Sequence, residues 1–301
     1  MKKIVIGIII AIVILGGIGY LLSHSEHTTT STGSTIQVIA AENFYGDIAS
    51  QLAGNRAHVI SILTDPNVDP HEYESTVQDG INVSKAQIVI ENGDGYDTWM
   101  DKLLSASKNK NRIVLVADSI ATRKLEDNPH FWYGVDNVKA IAAQITAALK
   151  KQDSADSSVF DENLAKFDDS LQALQTKMAT IKANYANTPV ALTETIFLYQ
   201  TQDMQLNVLT PLSFEQAIAE GNDPSADDVA KTNDQINNKK VKILIYNEQT
   251  VTPVTTKLLD DAKQQNIPVV PVTETMPKNK TYQSWMMGQL TDLENALRSS
   301  E

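Results

Sequence analysis

Residues 160–185, FDENLAKFDDSLQALQTKMATIKANY, carry the longest uninterrupted pattern in the chain. Phe160, Leu164, Phe167, Leu171, Leu174, Met178, Ile181 and Tyr185 alternate spacings of four and three, and no Gly or Pro breaks the run. Such spacing puts one apolar stripe on one straight amphipathic helix, roughly 40 Å long at 1.5 Å per residue. A coiled-coil dimer would use the same stripe. Packing across two domains of one chain is preferred, because alternating α/β material flanks the helix on both sides. The expected oligomeric state is therefore a monomer.

Upstream of the helix, strand and helix patterns alternate from Ile36. IQVIAAE, HVISILT, QIVIEN and IVLVAD read as strands, and the segments between them have helical spacing. Residues 119–133 break the rhythm, and a helix follows from about Val135 to Lys150. Downstream the rhythm restarts with PVALTET, VKILIYNE and IPVVPVTE as strands, helices between them, and a last helix from Thr281. Strand–helix alternation implies a parallel sheet covered by helices. The fold class is thus α/β, with two parallel-sheet lobes joined by one long rigid helix. The expected bounds are 36–155 for the first lobe, 156–187 for the linking helix and 188–301 for the second lobe.

The N-terminus reads differently. Lys2 and Lys3 precede an apolar run from Ile4 to Leu22. A bilayer-spanning helix needs roughly 20 such residues, and a signal-peptide core about 7–15. No small-x-small cleavage pattern follows, so residues 1–22 are expected to anchor the chain in the membrane, with a long cleaved signal as the alternative. Either way the rest is exported. Residues 23–35, SHSEHTTTSTGST, are a polar tether.

Composition narrows the chemistry. The formal charge is −12 and no Arg-rich stripe exists, which excludes a nucleic-acid partner. The chain has no Cys, so disulfides, thiolate metal sites and a lipid-bearing N-terminal Cys are all absent. No nucleotide-binding Gly loop and no GxSxG elbow occurs.

Ligands of parallel α/β units bind past the carboxyl ends of strands. Four such positions stand out: His71 within DPHEYE, His130 within DNPHFW, Glu194 after PVALT and Glu274 after IPVVPVT. Two neutral imidazoles and two carboxylates form a donor set for a divalent transition metal, whereas calcium would want more oxygens and no imidazole. Each position also has a plainer reading. A loop histidine is usually a surface or satisfied one, and each Glu can cap the helix that follows. Pro70 and Pro129 stiffen the backbone before each His. Glu248 lies near a strand end too and competes with Glu194. His24 and His27 fall in the tether, His58 opens a strand as a structural residue, and Phe131–Trp132 read as packing.

The strings AAENFYGDIASQLAG, DPNVDPHEYE, ENGDGYDTWMDKLL, NPHFW and VTETMP resemble the zinc/manganese solute-binding proteins of bacterial ABC importers. The resemblance runs from Ile36 to the end. It implies two α/β lobes bridged by a rigid helix, with the metal between them held by His71, His130, Glu194 and Glu274. It implies a role that is not enzymatic: an extracytoplasmic subunit captures Zn or Mn as transported ligand and passes it to an ABC permease in the membrane. Three features depart from the pattern. The lipobox Cys of many members is missing, as is the His-rich acidic loop of zinc-dedicated ones, and the last acid is Glu rather than the commoner Asp. A metal-dependent hydrolase and a surface adhesin with structural metal are the competing functions. An HExxH motif is absent, and a second carboxylate closing the shell speaks against a hydrolase.

Overall fold

The structure, a computed structural model, describes residues 35–66, 68–71, 73–109 and 111–300. The expected anchor, Ile4–Leu22, and the tether before Thr35 lie outside the described residues. Among the described residues no helix is long and apolar enough to cross a membrane.

The first sheet comprises β1 (Ile36–Glu42), β2 (Ala57–Leu63), β3 (Ile88–Glu91) and β4 (Ile113–Val116), in the order β2-β1-β3-β4. All neighbours are parallel; Val38, for example, stands between Val59 and Ile88. Helices α1 (Asn43–Ala53), α2 (Val77–Lys85), α3 (Thr98–Ala106), the single turn α4 (Ala117–Ile120) and α5 (Val135–Gln152) make the crossovers and cover. The central strands β1 and β3 are buried along almost their whole length, as a sheet covered on both faces requires. Gly46 is where α1 meets β2: a Cβ there would lie 1.9 Å from Ser61 Oγ, so any larger residue would force the Ser61 hydroxyl to turn away.

The second sheet comprises β5 (Pro189–Leu192), β6 (Asn207–Val208), β7 (Ile243–Asn247) and β8 (Val269–Val272), in the order β6-β5-β7-β8. Its helices are α7 (Leu198–Asp203), α8 (Leu212–Ala219), α9 (Ala226–Asn237), α10 (Pro253–Gln264) and α11 (Tyr282–Ser299). Both sheets thus share one strand order, although the two halves show no sequence similarity. Strand β6 is absent from the sequence reading. It is two residues long and pairs only Asn207 with Pro189 and Val208 with Val190, too short for any periodicity to show.

Between the sheets runs α6 (Ser157–Tyr185), 29 residues without interruption. Its stripe Phe160, Phe167, Leu171, Leu174, Met178 and Ile181 is buried against α1, α5 and α11. Each such side chain contributes about 1.5–3 kcal/mol on burial. The stripe is consumed within the chain, which leaves no seam for a coiled-coil partner. Polar contacts fasten α6 to both halves: Asn163 Nδ2 donates to Leu52 O (3.0 Å), and Lys177 pairs with Glu294. One core of apolar side chains continues from the first sheet through α6 to the second, so the described residues form one compact unit.

Aromatic rings close the junction. Phe44 stacks on Trp132 at 4.2 Å, and Tyr133 meets Trp285 edge-on at 5.9 Å. Phe131 and Trp132 are packing residues, as expected. His58 is an exposed sheet residue opposite Gln37.

Candidate metal centre

The carboxyl ends of both sheets face the same cleft. His71 follows β2, His130 follows β4 at the end of a loop, Glu194 follows β5 and Glu274 follows β8. His130, Glu194 and Glu274 are buried, at 1%, 3% and 9% exposure, while His71 is exposed at the mouth. Tyr96 stands between the imidazoles. Its ring meets His71 edge-on at 4.9 Å and His130 at 5.9 Å. Both histidines line a cavity of about 250 Å³ together with Asp94, Asp127 and Glu220. Glu274 lines a smaller one of about 70 Å³ with Asp69 and Gln249.

His130 is the best-oriented donor. Asn128 Nδ2 donates to Thr195 O (2.9 Å), which turns Asn128 Oδ1 toward the imidazole. His130 Nδ1–H therefore donates to Asn128 Oδ1 (2.8 Å), and the backbone N–H of His130 donates to the same oxygen (3.1 Å). That fixes the tautomer and leaves the Nε2 lone pair facing the cleft, 3.6 Å from Glu274 Oε1. Burial lowers the His130 pKa, more than the nearby Glu274 charge raises it, so the ring is neutral and ready to coordinate.

The two acids differ. Burial, and then the charge of Glu274, push Glu194 up to about 8 against hydrogen bonds from Asn247 and Thr250. Burial opposes ionisation of Glu274 as well, but the side-chain contacts of His130 and Tyr96 outweigh it and hold this carboxyl below its usual range. Oε1 of each carboxyl is buried with no hydrogen-bond partner. Buried carboxyl oxygens left without partners are costly unless a cation meets them. Neither Glu194 nor its competitor Glu248 lines these cavities; what separates them is that Glu194 is buried against Glu274 and Glu248 is exposed.

The His71 segment is held from several sides. Trp99 Nε1 donates to Pro70 O (3.1 Å), the His71 N–H to Asp69 Oδ1 (2.8 Å), and Tyr73 Oη to Asp79 Oδ2 (3.0 Å), the acid of the capping box that starts α2. Among the described residues, no three His, Asp or Glu side chains stand at a spacing that would already hold a cation. The structure brings His71 and His130 to one cavity and Glu274 to the next, with Glu194 buried beside Glu274 and His71 exposed at the edge.

Sequence reasoning missed the supporting residues. Asn128 carries a local signal, an Asn two residues before a His, which is the spacing of an Asx turn. Tyr96 and Gln249 carry none. Missed too are the acids at the switch point of the first sheet. Glu42 is fully buried, with both carboxyl oxygens unpartnered, and burial, then the Asp97 charge, raise it well above the usual range. Asp97 is meanwhile held by the N–H groups of Asn92 (2.7 Å) and Gly93 (2.8 Å).

A family model described as ZnuA, zinc-uptake complex component A periplasmic, matches residues 38–296. The metal ABC transporter substrate-binding lipoprotein ScbA of Streptococcus cristatus is 27% identical over 179 residues, 55% of this chain and 57% of that protein. The manganese ABC transporter substrate-binding lipoprotein PsaA of Streptococcus pneumoniae is 28% identical over 158 residues, 48% of this chain and 51% of that protein. The chain thus spans about half the length of these curated relatives. Among solved structures, FpvC of Pseudomonas aeruginosa in complex with Mn2+ superposes with a TM-score of 0.74 at 18% identity, covering 89% of this chain and 100% of that one. The periplasmic zinc binding protein TroA of Treponema pallidum gives 0.73 at 17%, covering 88% and 99%. At these identities the structural likeness establishes the fold.

Proposed function

The chain belongs to the zinc-uptake complex component A periplasmic family, and from that membership we propose that it captures Zn2+ or Mn2+ outside the cell and delivers it to an ABC permease. His71, His130, Glu194 and Glu274 are the proposed donors. The observation that carries this reading is the pair of buried carboxyl oxygens, on Glu194 and Glu274, that lack partners beside a tautomer-fixed imidazole. A divalent cation supplies the charge both acids lack. Closing the shell asks His71 to move inward from the cleft mouth, a loop adjustment rather than a wide hinge closure.

The donor set accepts either metal. Intrinsic affinity follows the Irving–Williams order, so Zn2+ binds at least as tightly as Mn2+ in vitro. Two carboxylates make the site harder than a three-His site, which suits Mn2+ as cargo. Relatives carrying manganese and iron in their names are compatible with that breadth. The proposed location is the outer face of the membrane, with residues 1–22 as anchor, 23–35 as tether and the chain working as a monomer.

Metal content of protein purified under native conditions, followed by calorimetry after chelation, tests the reading. One equivalent of Zn or Mn, rebinding to the stripped protein, is expected. Absence of both, with no rebinding heat, would refute it.

A further inference from the structure

The turn after β7 handles more of the cleft than its own acid-holding role. Asn247 Nδ2 donates to Thr250 Oγ1 (2.9 Å) near the Glu194 carboxyl, and between them Gln249 turns toward Glu274. Gln249 Oε1 accepts from the N–H groups of Glu274 (2.8 Å) and Thr275 (3.0 Å). Two backbone donors on one oxygen fix the amide's orientation. Its Nε2 then donates to Pro66 O (2.6 Å) and Thr275 Oγ1 (2.9 Å). Both donor hydrogens and both acceptor lone pairs are thereby used, so the side chain has one arrangement. Thr275 Oγ1 adds a parallel, longer bond to Pro66 O (3.3 Å).

Pro66 belongs to the segment that leads from β2 to His71. One amide therefore ties that segment of the first lobe to the main chain of Glu274 in the second. The other donors are secured independently. His130 is held by Asn128, which is itself bonded to Thr195 and Tyr199 of the second lobe. The chain just past Glu274 is gripped by Asn43, whose Nδ2 donates to Met276 O (2.7 Å). His71 is the exposed donor, and its loop is the part of the site that Gln249 can hold or free.

We propose that Gln249 is a positioning residue, a latch that holds the His71 loop against the main chain of Glu274 and so sets how slowly bound metal leaves. The inference rests on the four-donor reading of the cleft. Without the latch the loop carrying His71 opens more often, and the first ligand detaches while the other three stay seated. Dissociation should change and association hardly at all, because the encounter does not require the latch to be closed.

The test is Zn2+ release from the full chain into excess chelator, followed by stopped flow, beside Zn2+ association. Gln249→Ala is expected to raise the dissociation rate about tenfold, the worth of one lost hydrogen bond, with association within about twofold. Thr275→Val, which removes the longer parallel bond and one acceptor of Gln249 but leaves the Gln249–Pro66 bond, should raise it about threefold. A merely structural Gln249 would lower the melting temperature of metal-free protein without this kinetic selectivity. The decisive readout is the double-mutant cycle with His71→Ala, which loses high-affinity binding but is loaded through its three remaining donors at high Zn2+. If Gln249 acts through His71, adding Gln249→Ala to His71→Ala changes dissociation less than about twofold. Equal acceleration in both backgrounds, or none in the wild type with either variant, overturns the latch and leaves the four-donor reading intact. Failure of wild-type protein to bind Zn2+ overturns both.

Discussion

Loading a divalent metal should expel a proton, and that proton should come from Glu194. The two acids of the cleft are buried side by side, so their charges oppose each other. Glu274 is held below its usual range and keeps its charge, while burial, then the Glu274 charge, push Glu194 up to about 8. At pH 7 a carboxyl of that pKa is about nine-tenths protonated. Coordination requires the carboxylate, so each metal bound at pH 7 releases about 0.9 proton from this residue, falling to about 0.1 at pH 9. Affinity should follow: between pH 8 and pH 6 Glu194 alone weakens binding about fifty-fold, or about 2.3 kcal/mol. Calorimetry in buffers of different ionisation enthalpy counts the protons directly. Other groups can contribute, so the quantity to read is the difference between wild type and Glu194→Gln, which has no proton to lose. The expected difference is about 0.9 proton per metal at pH 7. Equal proton counts in the two proteins, or binding heats of wild type that ignore the buffer, would show that Glu194 is ionised before metal arrives and refute the reasoning.

Other expectations concern the donors and the frame. His130→Ala and His71→Ala should abolish high-affinity binding and Glu274→Ala should weaken it strongly, while Glu248→Ala, on an exposed side chain, should match wild type; calorimetry with Zn2+ and Mn2+ decides, and loss of binding in Glu248→Ala would reverse the choice of acid. Asn128→Leu removes the acceptor that fixes the His130 tautomer and should cost about 10–100-fold in affinity by competition titration. Metal-free protein should melt lower as pH rises from about 5 to 8, because Glu42, Glu91 and Glu194 have folded pKa values above their unfolded ones. The sign follows from linkage: acids raised by folding add stability at low pH and lose it as pH climbs through about 8. Metal at a hundredfold excess over Kd should restore about 2.7 kcal/mol, roughly 5–10 °C, in a melting scan.

The fold was legible because parallel strands buried on both faces spell themselves as short apolar runs. IQVIAAE, QIVIEN and VKILIYNE each contain a central strand, and the uninterrupted 160–185 stripe marks α6. Strand β6 escaped because two residues hold no period. In the site, strand-end position and the family resemblance together named four candidates, and the structure brings His71 and His130 to one cavity with Glu274 at the next. Strand-end position alone left Glu248 beside Glu194; strand alternation separates them, since Asn247 is buried and its neighbour Glu248 exposed. The supporting residues were out of reach for a physical reason. Gln249 and Pro66 are 183 residues apart, and no local pattern encodes a bond made only after two lobes have docked.

That docking also limits how metal can leave. Phe44 and Trp132 from the first lobe pack with Trp285 from the second, Tyr133 reaches Thr273 O (2.6 Å), and Tyr282 Oη donates to Trp132 O (2.6 Å). Swinging the lobes apart would expose these rings. At about 1.5–3 kcal/mol for each fully buried side chain, three or four of them come to about 5–12 kcal/mol. That is comparable to the net stability of an ordinary domain, about 5–15 kcal/mol. Wide opening of the lobes would therefore amount to unfolding. A loop held by a few hydrogen bonds, each worth about 1 kcal/mol net, opens far more cheaply. The segment bearing His71 is such a loop, at the exposed edge of the cleft, so under the proposed function metal would exchange there, with His130 and Glu274 kept in the packed frame.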